Sequence, residues 1–123
     1  MAQPPLKHLA LAVQDQERSR AFYAKYFGFE AEPKPREDGV LMLHNADGFS
    51  LALGAAKVPP SMPRFFHFGF SAQSPDEVRA MRERLADDGV ELVEEWDEPD
   101  YVSVKFRDPD GYVVEYGWEV LPT

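Results

Sequence analysis

Two histidines and one glutamate are the residues of this chain best suited to chemistry, because each interrupts a stretch that is otherwise apolar. They are His8 in "KHLALAV", His67 in "RFFHFGFS" and Glu115 in "YVVEYGW". Burying an unpaired carboxylate is costly, so Glu115 indicates a partner for its charge. Imidazole and carboxylate groups are ligands of divalent transition metals, and metal binding is the chemistry that these three side chains share.

An internal duplication relates these residues to one another. Both halves read as strand, helix and three strands, with 5–54 as the first βαβββ module, 55–63 as a Pro-rich linker and 64–118 as the second module. His67 follows His8 by 59 positions, and "DGFSLAL" is matched by "DGYVVEY" 63 positions later. A nearly constant offset is typical of two copies of one structural unit. We therefore predict one α+β domain over 1–123, in which the modules form a curved half-barrel sheet with helices outside.

The predicted helices have clear signals at both ends. Asp15 is an N-cap and Gly28 suits the left-handed position after the first helix. Ser74 is the N-cap of the second helix, Pro75 its first residue and Gly89 its end. Strands are predicted at 6–13, 29–33, 40–44 and 49–53 in the first module and at 64–71, 90–96, 101–107 and 112–118 in the second.

The alternation of side chains along a strand separates the three candidates from the bulky core residues. It puts His8 on one face with Ala10, and His67 on one face with Gly69. Small neighbours leave space, and space on a concave sheet face is a pocket. If the modules pair about a pseudo-twofold axis, these histidines and Glu115 project into one cavity. We predict that they hold a divalent transition metal, with Fe(II) or Mn(II) favoured and Zn(II) or Ni(II) also compatible.

The duplication also predicts what the fourth ligand position contains. The residue 63 positions before Glu115 is Ala52, which has no donor atom. The predicted site is therefore three-sided, and open positions are typical of a catalytic metal rather than a structural one.

Three further residues are candidates for catalysis. Tyr101 and Lys105 alternate with apolar residues, which would direct both toward the same cavity. Lys105 would hold an anionic or enolate oxygen there, or it is a surface lysine. His44 ends a strand beside a turn, where it is either a solvated residue or an acid–base group at the rim of the pocket.

Composition and charge exclude several classes of function. The net charge of −9 repels phosphate backbones, so nucleic acid is not an expected partner. The chain has no cysteine, so any metal must be held by His, Asp, Glu or water. No apolar run reaches the roughly 20 residues of a membrane span, and the N-terminus reads as a strand rather than a secretory signal. We predict a cytoplasmic protein with no membrane partner.

The motifs together resemble the vicinal oxygen chelate superfamily, which includes glyoxalase I, methylmalonyl-CoA epimerase, extradiol dioxygenases, fosfomycin-resistance thiol transferases and bleomycin-binding proteins. The resemblance covers about residues 5–118 and is carried by "KHLALAV", "AFYAKYFGFE", "FHFGF", "DEVRAMRERLADDGVEL" and "FRDPDGYVVEYGW". It implies metal ligation at His8, His67 and Glu115, a homodimer, and a small substrate that binds through two adjacent oxygens.

The resemblance leaves the reaction open, because each branch departs from this sequence somewhere. Glyoxalases and epimerases add a ligand where Ala52 stands. Fosfomycin enzymes usually have a threonine where Ala10 stands, and extradiol dioxygenases use a further histidine, for which only His44 is left. Oxygen-dependent ring cleavage fits the three-ligand pattern best. The alternatives are a lyase or transferase of the glyoxalase or fosfomycin kind, a metal-free drug-binding protein and a partner-regulating domain with a vestigial site.

Overall fold

The computed structural model describes residues 3–121, which form two compact units that divide between Ser61 and Met62. Both units have the predicted element order, which confirms the α+β class and the two tandem βαβββ modules. The first module comprises β1 (His8–Val13), α1 (Gln16–Phe27), β2 (Glu30–Ala31), β3 (Leu41–His44) and β4 (Ser50–Ala55). The second comprises β5 (Phe68–Ser71), α2 (Pro75–Asp87), β6 (Leu92–Glu98), β7 (Tyr101–Arg107) and β8 (Val113–Glu119).

The first sheet has the strand order β1-β4-β3-β2, in which β1 and β4 are parallel and the other neighbours are antiparallel. Leu11, Leu51 and Leu53 lie on its buried face, and α1 packs on β4. His8 and Ala10 are exposed on this module, so the predicted alternation of β1 is observed. The bulky face forms the core and the face with small residues stays accessible.

The second sheet repeats this arrangement with the order β5-β8-β7-β6, again with its first pair parallel. Val102, Val104 and Phe106 are almost completely buried, and α2 packs on β7 and β8. The edge strand β6 has a register shift between Leu92 and Glu94. Each sheet is open within the described residues, so neither module closes into a barrel on its own.

The helix ends are those that the sequence predicts. The Asp15 carboxylate accepts a hydrogen bond from the backbone N–H of Arg18 at 3.0 Å, and Gly28 is left-handed with a φ of 68°. Ser74 Oγ accepts from the backbone N–H of Glu77 at 3.2 Å. Satisfying these otherwise unpaired N–H groups fixes where each helix begins.

The pairing of the parallel strands reproduces the duplication residue by residue. Ala10 on β1 lies opposite Ala52 on β4, and Gly69 on β5 lies opposite Glu115 on β8. The structural counterpart of Glu115 is therefore Ala52, as the offset of 63 predicts. A Cβ on Gly69 would approach the backbone oxygen of Glu115 to 3.1 Å, so this glycine permits a close approach of β5 to β8.

One predicted strand is wrong in its extent. The stretch 64–71 was expected to be a single strand, but β5 begins only at Phe68, and Arg64 and Phe65 form a turn. Phe65 has a φ of 73°, a left-handed conformation that cannot continue a strand. His67 therefore precedes the strand instead of lying within it. The other strands differ from their predicted bounds by a few residues at their ends.

No helix among residues 3–121 has the length and hydrophobicity needed to cross a bilayer.

Candidate functional site

Glu115 is held on β8 by two hydroxyl groups from the neighbouring strand β7. Tyr101 and Ser103 both donate to its Oε2 at 2.5 Å. Burial alone would raise the pKa of Glu115, but these two hydrogen bonds, together with the nearby charge of Lys105, outweigh it and leave that pKa below its usual range. Glu115 is therefore a carboxylate at neutral pH. Its Oε2 accepts both hydroxyl hydrogen bonds, and its Oε1 accepts neither of them.

His67 faces that second oxygen. Its Nδ1 lies 2.9 Å from the carbonyl oxygen of Phe65, which can only accept a hydrogen bond. Nδ1 therefore carries the proton of the neutral ring, and Nε2 carries the lone pair. Nε2 lies 3.4 Å from Oε1 of Glu115, and both side chains are mostly shielded from solvent.

This pair fits a divalent metal ion better than it fits a direct hydrogen bond. A hydrogen bond from a protonated imidazole to a carboxylate is usually about 2.7–2.9 Å long, shorter than the 3.4 Å between His67 and Glu115. Two donors at about 2.0–2.2 Å from one ion, at a tetrahedral angle, lie about 3.4 Å apart. The bond between His67 and the Phe65 carbonyl is also the kind of contact that fixes the ring of a metal-binding histidine.

The second module brings together two of the three predicted ligands. Within residues 62–121, no further His, Cys, Asp or Glu lies close enough to His67 and Glu115 to form a group of three. His8, the third predicted ligand, belongs to the first module. It begins β1, is exposed there and pairs with Ser50 on β4.

The predicted catalytic residues of β7 lie near this pair. Tyr101 donates directly to Glu115. The pKa of the Tyr101 hydroxyl is raised, mainly by burial and secondly by this hydrogen bond. Lys105 Nζ donates to Glu94 at 2.9 Å, and this bond raises the pKa of the lysine, which keeps it protonated. Lys105 also lines a cavity of about 370 Å³ together with His67.

His44 lies in the first module and is bound on both sides. Its Nδ1 is 2.9 Å from Ser50 Oγ, and its Nε2 is 2.9 Å from the carboxylate of Glu32. Glu32 is held in turn by a two-pronged ion pair with Arg36. These bonds, first from Arg36 and then from His44, lower the pKa of Glu32 to about 2. Both ring nitrogens of His44 are therefore hydrogen-bonded, while its side chain remains 43% exposed to solvent.

A larger cavity, of about 780 Å³, lies in the first module between the start of α1 and the loop after β2. Its lining includes Asp15, Arg20 and Lys34 but none of the six predicted site residues. Size alone therefore does not identify the site, and the donor geometry around Glu115 is the better guide.

Two features of the site are not evident from the sequence. Ser103 alternates with apolar residues just as Tyr101 and Lys105 do, but this pattern does not show that it donates directly to Glu115. Phe65 was expected in a strand, whereas its carbonyl orients His67. The spacing of Tyr101, Ser103 and Glu115 is compatible with the first contact. The contact between the Phe65 carbonyl and His67 has no such signal, because nothing about a phenylalanine in a sequence indicates a left-handed backbone.

Comparisons with known proteins identify the family and the fold of this chain. Residues 6–116 match the family model of the Glyoxalase/Bleomycin resistance protein/Dioxygenase superfamily. The metallothiol transferase FosB of Lysinibacillus sphaericus is 31% identical over 119 residues, which cover 90% of this chain and 79% of that protein. The structure of a possible glyoxalase from Bacillus cereus has a TM-score of 0.78 and 29% identity, and covers 91% of this chain and 96% of that one.

A structure of a variant of the fosfomycin resistance protein FosX from Listeria monocytogenes shares the fold, with a TM-score of 0.79 and 22% identity over 98% of this chain and 94% of that one. That protein was crystallised with Mn(II) and 1S,2S-dihydroxypropylphosphonic acid. Because the family model matches nearly the full length, this chain belongs to the Glyoxalase/Bleomycin resistance protein/Dioxygenase superfamily.

Proposed function

We propose that this protein is a metal-dependent enzyme that acts on a small substrate through two adjacent oxygen atoms. His67 and Glu115 provide two ligands from the second module, and His8 provides the third, either from the same chain or from a second copy in a homodimer. The observation that carries the proposal is the 3.4 Å approach of His67 Nε2 to Glu115 Oε1, two atoms that both present lone pairs.

The residues around Glu115 support this role because they prepare it as a ligand. Tyr101 and Ser103 occupy Oε2 and leave Oε1 available. A bound Mn(II) or Fe(II), or alternatively Zn(II) or Ni(II), would supply Lewis acidity toward the two substrate oxygens. Lys105 stays protonated beside the site and would stabilise negative charge on a substrate oxygen. Tyr101 positions Glu115 rather than transferring a proton, since its hydroxyl is already engaged.

The reaction class that we favour is addition of a nucleophile to the small substrate. The support is the metallothiol transferase relative, whose alignment covers 90% of this chain. Ring cleavage by oxygen, which the three-ligand pattern also fits, becomes the second candidate. His44, the remaining acid–base candidate, has both ring nitrogens engaged by Ser50 and Glu32, so we assign it no proton transfer in either reaction.

Metal binding is the first test of this proposal. Mn(II) is titrated into chelator-treated protein, and the free ion is followed by electron paramagnetic resonance. We expect one ion per chain, with affinity reduced at least 100-fold by Glu115→Gln and His67→Ala and strongly reduced by His8→Ala. Glu119→Gln, on an exposed position of the same strand, is the control. Wild-type affinity in Glu115→Gln would rule out this site, and absence of metal binding by the wild type would favour a metal-free drug-binding protein.

The reaction class and the assembly are tested separately. Metal-loaded protein is assayed with fosfomycin plus a thiol, with catechols, and with thiol adducts of α-ketoaldehydes. Turnover of catechols with consumption of oxygen would overturn the preference for addition of a nucleophile. Light scattering after gel filtration tests the homodimer, for which we expect twice the chain mass of 14.0 kDa.

A further inference from the structure

The loop that precedes β5 forms one wall of a cavity beside His67. The cavity has a volume of about 370 Å³, a size typical of sites for small ligands. Its opposite wall comes from β6, β7 and the start of β8. The residues that line it are Met62, Pro63, Arg64, Phe65, Phe66, His67, Val93, Glu94, Lys105, Arg107, Gly111 and Val113.

Phe65 is the strained element of this cavity. Its φ of 73° is the one positive value found for a residue other than glycine within residues 3–121. Such a conformation is energetically unfavourable for a residue with a side chain, and it is concentrated at functional sites. The strained backbone aims the Phe65 carbonyl at His67, while the ring itself remains 84% exposed at the cavity.

The exposed ring of Phe65 has polar and charged neighbours rather than an apolar core. It meets the ring of His67 edge to face at a centroid distance of 5.3 Å. The ammonium group of Lys105 lies 5.8 Å from its centroid. An aromatic ring that has an imidazole and a cation beside it, and most of its surface exposed, is a surface on which a flat ligand can stack.

The charge of the lining is opposite to that of the whole chain. Arg64, Lys105 and Arg107 stand against the single carboxylate of Glu94, although the chain carries a net charge of −9. Lys105 and Arg107 are paired, with Glu94 and with Glu91. Arg64 has no hydrogen-bond or ion-pair partner within residues 3–121. A cation in this position, beside exposed apolar side chains, fits the acidic group of a ligand.

The apolar part of the lining is also unusually exposed. Phe66 is 43% exposed, Val93 42% and Met62 36%. Large apolar side chains that surround a concave, positively charged space are the composition expected for an amphipathic organic anion.

We propose that this cavity binds an organic anion with a flat apolar body, of the aryl carboxylate type. Its ring stacks on Phe65, and its acidic group pairs with Arg64. That this ligand is the substrate, or the group transferred to it, rests on the proposed function; its binding to the cavity does not.

A charge-matched series of probes tests the proposal. Chelator-treated, full-length protein labelled with ¹⁵N is titrated with 3-phenylpropionate, 3-phenyl-1-propanol and 3-phenylpropylamine, and the shifts of the amide resonances give site and affinity. We expect the carboxylate to bind at least tenfold more tightly than the alcohol and the amine to bind more weakly still. The largest shifts should fall on residues 62–67 and on the facing segments of β6 and β7.

Two variants identify the groups responsible. Arg64→Gln should weaken binding of 3-phenylpropionate at least fivefold and bring it close to the alcohol. Phe65→Gly should weaken both probes, because it removes the ring but tolerates the left-handed backbone. Lys57→Gln removes an exposed cation of the first module and should change neither affinity. If Phe65→Gly does not fold, Arg64→Gln at an exposed side chain still decides the matter.

The outcomes separate this proposal from the proposed function. Equal affinities for the three probes, an unchanged affinity in Arg64→Gln, or shifts centred outside residues 62–113 would overturn the anion subsite. Loss of Mn(II) binding in Glu115→Gln with intact 3-phenylpropionate binding would support both proposals. Selective binding of the carboxylate by a protein that takes up no metal would support the subsite and contradict the metal-dependent enzyme.

Discussion

The two modules share one backbone arrangement but differ in the polar side chains that they carry at matching positions. In both, a parallel strand pair presents small residues on one face and bulky residues on the other. At matching positions the second module has Glu115, clamped by two hydroxyl groups, and the first has Ala52. The first module instead has a hydrogen-bonded group in which His44 contacts Ser50 and Glu32. A duplicated scaffold therefore fixes where functional side chains are presented, while the identity of each residue decides whether that position has chemistry.

The equal part of this comparison is the core, where we expect the largest effects on stability. Leu51 and Leu85 are fully buried, one in each module. Either Leu→Ala substitution should lower the free energy of unfolding by about 2–5 kcal/mol, because it removes buried methyl groups and leaves a cavity. Urea denaturation measures the loss. Leu6→Ala, at a leucine that is 79% exposed, is the matched control. A small effect at only one of the two buried positions would show that the modules are not equally packed.

The unequal part is the clamp on Glu115. Removing both donors with Tyr101→Phe and Ser103→Ala should weaken Mn(II) binding about 10–100-fold, as is typical when the groups that orient a ligand are lost. The single variants should each lose less. Electron paramagnetic resonance measures the affinity, and the helix content should remain unchanged. If the double variant bound Mn(II) as well as the wild type, the two hydroxyl groups would not orient a ligand.

The substitution Ala52→Glu would give the first module a carboxylate at the position equivalent to Glu115. The residues 63 positions before Tyr101 and Ser103 are Asp38 and Val40, which precede β3 and have no hydroxyl group. A carboxylate introduced by Ala52→Glu therefore lacks donors, and we expect a loss of about 1–2 kcal/mol in the free energy of unfolding. Ala46→Glu, in an exposed turn, should change it by less than about 0.5 kcal/mol. A stabilised Ala52→Glu variant would mean that the first module holds a cation at this position.

The hydrogen bonds of Glu32 to Arg36 and His44 should give the smallest effect on stability, and that effect should depend on pH. The pKa of Glu32 is about 2 in the folded protein, below its ordinary value of 4.5. Its stabilising contribution is therefore complete above about pH 4.5 and is lost as the pH falls toward 2. The melting temperature should fall less steeply with acid in Glu32→Gln than in the wild type, with exposed Glu37→Gln as control. Identical pH profiles for Glu32→Gln and the wild type would mean that the hydrogen bonds of Glu32 to Arg36 and His44 do not contribute to stability.

Much of the fold can be read from the sequence because its signals are local and repeated. Asp15 and Ser74 are N-caps with their side chains bonded as expected. Alternation correctly assigns Val102 and Val104 to the core. The offset of 63 pairs Ala52 with Glu115 before any coordinates are known. Each of these inferences depends on a rule that acts over a few residues or on a comparison of the chain with itself.

The remainder depends on backbone conformation and on contacts between distant residues. The turn at Phe65 delays the start of β5 because its φ is positive, which nothing about phenylalanine predicts. The ion pair between Lys105 and Glu94 depends on the bulged register of β6 against β7, which cannot be counted along the chain. The relation of His8 to the other two ligands stays a prediction, because it concerns two modules and not one.

The edge strand β6 has a consequence for how molecules of this protein meet in solution. Its outer backbone groups are unpaired within the second module, yet it carries Glu94, Glu95, Asp97 and Glu98 and a break in its register. Two such edges brought together would set rows of carboxylates against each other and would not align their amides. Strand-to-strand aggregation through β6 is thereby discouraged at neutral pH.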